Sequence, residues 1–153
     1  MAHSPGVERR ALLVEMARRA AWPPALVFAV HVVASLGFHA YARLPSLDLW
    51  MHLLGGCAIA CCCARALDVL ARDHAAVRLD ARVQALLVFA LTATAAVVWE
   101  FAEFASDRAA GTGAQVGLED TLLDMALGMV GGALYLAARS RAMHVARDER
   151  LRE

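Results

Sequence analysis

A chain of 153 residues, 60% of them hydrophobic and with a mean hydropathy of +0.52, is too apolar for an ordinary soluble domain of this size. Its fifteen basic residues are all arginine and balance fifteen acids, so net charge gives no sign of nucleic-acid binding; only the distribution of charge is informative. Arginine without lysine fits a GC-rich coding bias and a bacterial source.

In chain order, the first twenty residues carry Arg9, Arg10, Arg18 and Arg19 with Leu12, Leu13 and Met16 between them. An interfacial helix over residues 7–20 or a short solvated one would suit that pattern. The apolar run that follows starts too late and is too long for a cleavable signal peptide, so it is expected to stay in place as a signal anchor. Four spans are predicted, at residues 21–41, 47–67, 83–104 and 121–138, the first long enough to cross the ~30 Å hydrocarbon core at 1.5 Å per residue. Trp22 and Tyr135 would mark one interface; Tyr41, Trp50 and Trp99 would mark the other. The expected organisation is therefore an all-α polytopic membrane protein, a four-helix transmembrane bundle over residues 21–138. It is flanked by a segment at 1–20 and a charged tail at 139–153.

Orientation follows from the arginines. Arg9, Arg10, Arg18 and Arg19, the link residues Arg65, Arg72, Arg78 and Arg82, and Arg139, Arg141, Arg147, Arg150 and Arg152 fall on one side. Only Arg43 and Arg108 fall on the other. The positive-inside rule then puts both termini in the cytoplasm and residues 105–119 in the periplasm.

Seven acids converge on the side opposite the arginines: Asp48, Glu100, Glu103, Asp107, Glu119, Asp120 and Asp124. Asp48 and His52 are one turn apart on span two; Glu100, Glu103 and Asp107 share a face of span three; Asp120 and Asp124 are one turn apart on span four. Span one adds His31, Ser35 and His39 at the same four-residue spacing. Carboxylates and histidines at such spacings on facing helices are how bundles build metal sites. An oxygen-rich set suits Mg²⁺, Mn²⁺ or Ca²⁺, and a histidine draws in Zn²⁺ or Fe²⁺. The candidate ligands are Asp48, His52, Glu100, Glu103, Asp120 and Asp124.

Helix capping alone would account for Asp48, which follows Pro45 and Ser46, and for Asp120, which precedes Thr121. It does not account for span three. There the acids stand at the negative end of the helix dipole and repel one another, each term costing a few tenths to ~1 kcal/mol, so a compensating cation is the better explanation. Glu100, beside Trp99 at the interface, is an ionisable group where such groups face the bundle interior and mark function.

Other features carry less. Cys57, Cys61, Cys62 and Cys63 lie in the half of span two far from the acids and read as small apolar packers. Gly128 and Gly132 form a GxxxG with Gly131 between them, and Gly55 and Gly56 thin span two, all of which permits close helix approach. His31 reads as a hydrogen-bonded core histidine before a proton relay. The loop at 111–117 reads as a flexible linker and lacks the Lys and Ser/Thr of a nucleotide loop.

Taken together, Asp48-(x)3-His52-(x)2-Gly55-Gly56, then Trp99-Glu100-(x)2-Glu103, then Gly117 with Asp120-Thr121-(x)2-Asp124-Met125 and a glycine-rich stretch resemble the YjdF-like group of small bacterial inner-membrane proteins. This chain is shorter than is usual there. The likeness covers spans two to four and implies a location, with no particular chemistry.

Two function classes remain. In one, the cluster binds a divalent metal that activates water or clamps a phosphate for hydrolysis of a lipid or envelope precursor. In the other, the carboxylates bind a cation or proton in order to move it. An accessory subunit whose acids meet a membrane partner is a third and blander reading. Four short spans make a thin pathway for transport unless the protein forms a homo-oligomer, which favours metal binding.

Overall fold

The computed structural model describes residues 5–73 and 79–152, all helix and connecting loop with no strand among them; Arg78 lies outside the described residues. Six α-helices follow one another: α1 (Pro5–Ala20), α2 (Trp22–Val32), α3 (Ala40–Arg43), α4 (Ser46–Asp73), α5 (Ala81–Ala110) and α6 (Leu118–Arg150). α4, α5 and α6 are each long and apolar enough to cross a membrane; α1 and α2 make a fourth only if their bent pair counts as one span. These three long helices are the apolar runs of the sequence extended at both ends by polar turns.

The first predicted span departs from the expectation. α1 and the helix that follows it, Trp22–Gly37, meet at an angle of 56°. Pro23 and Pro24 lie just past the joint, where they withhold backbone donors and crowd the preceding turn. The second piece is sixteen residues, ~24 Å at 1.5 Å per residue and short of the hydrocarbon core. Its last turn, Val33–Gly37, widens into a π-helix, and the chain leaves it through His39 in the left-handed conformation (φ 48°). The expected stripe of His31, Ser35 and His39 is broken by that widening, because a π turn moves residues off the four-residue spacing. His39 ends up exposed.

α4 is the hub, packing against α1, α2, α5 and α6. Its closest approach is to α6. A methyl group added at Gly56 would stand 2.0 Å from the Gly128 carbonyl oxygen, and one at Gly131 would stand 2.1 Å from that of Leu53. Only hydrogen fits at either place, as expected where small residues bring membrane helices together. The third side of the contact is Thr92 of α5, whose methyl group lies against Gly132. Ala60, Ala64 and Val88 form the apolar core. The large apolar side chains, such as Phe101, Leu86 and Val98, point outward, where a bilayer would meet them.

The helix ends are tied locally. Asp80 caps α5 by accepting from the Arg82 N–H (2.8 Å). Gly111 closes its other end at φ 63°, a left-handed cap that glycine adopts without penalty. Away from the acidic cluster, Asp68 of α4 accepts from Arg139 of α6 (2.8 Å) and from Gln84 of α5 (3.1 Å). Arg65 donates to the Arg19 carbonyl at the end of α1 (3.3 Å) and lies 5.3 Å over the Trp22 ring.

Candidate metal centre

His52 is the centre of the acidic end. It stands one turn into α4, with Asp48 on the turn before it, and the close α4–α6 crossing brings Asp124 against the same edge of the ring. Nε2 lies 3.6 Å from Asp48 Oδ1 and 3.8 Å from Asp124 Oδ1; Nδ1 lies 3.8 Å from Glu100 Oε1 on α5. Each separation exceeds hydrogen-bond length, so the ring sits in a gap with an acidic group off each nitrogen. A neutral imidazole offers one lone pair and one N–H.

Two overlapping ligand groups result. One donor atom from each of Asp48, His52 and Asp124 lies within 4.8 Å of the others, and so does one from each of His52, Glu100 and Glu103. Glu100 is 3% exposed and Asp124 2%. Both oxygens of Glu100 and Oδ1 of Asp124 are buried without a hydrogen-bond partner. Unsatisfied buried carboxylate oxygens are costly and rare in folded proteins. Among the described residues, no arginine forms an ion pair with Asp48, Glu100, Glu103 or Asp124. Four acids with one histidine are a hard, oxygen-rich donor set whose negative charge a divalent cation would offset in part.

The neighbouring side chains orient this set. Trp99 turns its indole N–H toward the cluster. It is half-buried, and its indole N–H donates to Glu103 Oε1 (2.7 Å), one turn along α5. Its ring meets His31 and Phe28 edge to face, with centroids 5.3 and 6.1 Å apart. His31 Nδ1 is 2.6 Å from the Tyr41 hydroxyl, a hydrogen-bonded histidine as expected.

Asp120 lies outside both ligand groups. It stands half-buried in the first turn of α6, and one of its oxygens lies 3.5 Å from the Val116 N–H. Neither Asp48 nor Asp120 occupies a cap position: both are inside the first turn, and the cap of α6 is Gly117. Asp107 also stands apart, as the organiser of the loop at 111–117. It accepts from the Thr112 hydroxyl, from the Ala114 N–H (2.8 Å) and from the Gln115 N–H (2.9 Å), so this loop is folded where a flexible linker was expected. Gln115, which sequence reasoning missed, then donates from its side chain to the Glu100 carbonyl (3.1 Å). A glutamine in a glycine-rich connection between two acidic helix ends was the signal. Glu119 is exposed.

The cysteines take no part. All four are free and half-buried, Cys57 donates to the Gly131 carbonyl (3.1 Å), and none belongs to a ligand group among the described residues.

Fold and site together define an all-helical, multi-pass membrane protein with a histidine–carboxylate cluster between its long helices. The chain belongs to the family described as "Predicted membrane protein (DUF2238)", which matches it over residues 5–144. The YjdF-like resemblance is to a group within that family, and the match extends beyond the three long helices to α1 and α2. No curated protein and no solved structure matches the chain.

Proposed function

We propose that this protein is a metal-dependent protein of the bacterial inner membrane, in which His52 with Asp48, Glu100, Glu103 and Asp124 holds a divalent cation and Asp120 lends charge from the adjoining turn. The observation that carries the reading is the burial of both Glu100 oxygens and of Asp124 Oδ1 beside His52 with no partner in the chain. A bound cation would supply Lewis acidity and a water of lowered pKa, chemistry suited to hydrolysis of a lipid or envelope precursor. The chain's own contribution is to hold the ligands rigidly. Trp99 fixes Glu103, the glycine crossing fixes Asp124 against His52, and Gln115 pins the end of α5. We also propose a four-span bundle in which the bent pair Arg10–Ala20 with Trp22–Gly37 supplies the first span, so that the bundle expected at 21–138 reaches back into the segment at 1–20, with 139–153 as the remaining flank. The thirteen-to-two arginine split supports cytoplasmic termini and a periplasmic cluster.

Metal analysis of the purified protein beside Glu100→Gln tests the site. Stoichiometric metal in the wild type that falls in the variant is expected; a wild type purified under metal-replete conditions with no bound metal would contradict it. Reporter fusions at Ala114 and at the C-terminus test the orientation, and periplasmic activity at the C-terminal fusion would reverse it.

A further inference from the structure

α2 lies along α4, yet its backbone stays clear of α5. Side chains bridge that gap near Trp99, where His31 and Phe28 meet the indole. The rest is a slot of about 300 Å³ that runs down from the metal cluster between the helices. Its titratable groups are all at one end: His31, Asp48 and His52. Below them the walls are apolar, from Phe28 and Met51 to Ile59, and the one hydroxyl at the far end, Thr92, is already donated to the Val88 carbonyl (2.8 Å). Phe28 is an exposed wall residue, so the slot opens sideways, on the face a bilayer would cover.

Dimensions decide what fits. From Asp48 to Ile59 the slot follows α4 for ~16 Å at 1.5 Å per residue, close to the hydrocarbon depth of one leaflet, half of ~30 Å. It is too narrow for a partner helix, which needs a channel ~10 Å across. A water-soluble substrate would gain nothing from apolar walls at membrane depth. We propose that the slot holds one hydrocarbon chain of a bilayer lipid, entering sideways between α2 and α5, with the lipid's phosphate-bearing head at the His52 cluster. Placement of the chain rests on the slot alone; placement of the head rests on the metal reading above, because an uncompensated acidic cluster would repel a phosphate.

Gly55 gives a clean way to block the slot. It lines the cavity, and a Cβ added there meets nothing within 4 Å, unlike one at its neighbour Gly56. Gly55→Leu should therefore fill the slot without separating the helices; Ala95→Leu fills it from α5. The full chain in nanodiscs is photolysed with phosphatidylglycerol carrying a diazirine in mid-chain, and labelled residues are mapped by mass spectrometry. Labelling of Met51 and Ile59 is expected in the wild type. It should be lost in both filled variants, while labelling of lipid-facing Leu86 and Phe101 persists. Unlabelled slot residues in the wild type, or labelling unchanged by both fillings, overturns the proposal.

Two further arms separate the readings. Stoichiometric metal should survive in both filled variants, since no ligand is touched; metal absent throughout with slot labelling intact would overturn the metal reading and sustain chain occupancy. Chelation should reduce phosphatidylglycerol labelling of the slot towards that of diacylglycerol bearing the same chain. Equal labelling by the two probes with metal bound overturns the placement of the head.

Discussion

The two ends of this bundle handle charge in opposite ways. At one end, Asp68 receives Arg139 and Gln84, and Arg65 is held by the Arg19 carbonyl and the Trp22 ring, so each group is satisfied within the chain. At the other, the same three helices bring together four carboxylates and one histidine, with oxygens of Glu100 and Asp124 left unpartnered. The first arrangement completes itself. On the reading proposed above, the second is completed by a cation from outside, and that asymmetry would make one end structural and the other chemical.

The largest effect should come from breaking both ends at once. Gly131→Ala or Gly56→Ala drives a methyl group to about 2 Å from a backbone oxygen. It forces α4 from α6 and should cost about 3 kcal/mol or more, at or above the upper end of overpacking penalties. Melting in detergent measures it, and metal binding should fall with it, because His52 loses Asp124. A smaller effect should distinguish the ends. Asp68→Ala removes the partner of Arg139, but both side chains are partly exposed and screened, so a loss of about 1 kcal/mol is expected. The response to metal should be unchanged; if it disappears with Asp68, the two ends are not independent. The smallest effect on melting should come from Asp107→Ala, which releases the loop at 111–117. Protease should cut that loop faster while the melting point barely moves.

The long helices were legible because uninterrupted apolar runs leave little else for a chain to do in a membrane. The stripes on α4 and α5 were legible because helical spacing alone puts Asp48 with His52 and Glu100 with Glu103 on one face. The failures have a common cause: they depend on where a side chain turns or on what lies opposite. The inward turn of Trp99 to Glu103 is a choice of rotamer, and the Asp68–Arg139 pair joins residues 71 apart that meet only after α4 and α6 pack. Asp120 follows the helical spacing to Asp124 yet, from the first turn of α6, enters neither ligand group. The bend at Ala21 was written in Pro23 and Pro24, but those prolines are compatible with a helix start as well as with a kink, and only the angle between α1 and α2 separates the two.

Melting in detergent with and without metal tests the claim that a cation completes the acidic end. Wild type should melt higher in Mg²⁺, Mn²⁺ or Zn²⁺ than in chelator, by about 2.7 kcal/mol of stabilisation at a hundred times the dissociation constant. Glu100→Gln with Glu103→Gln removes repulsion and ligands together while leaving an acceptor for Trp99. That double variant should melt higher than wild type without metal and show no response to it. If it instead melts lower without metal and still responds, these glutamates serve the fold alone and the cation reading of the cluster is wrong.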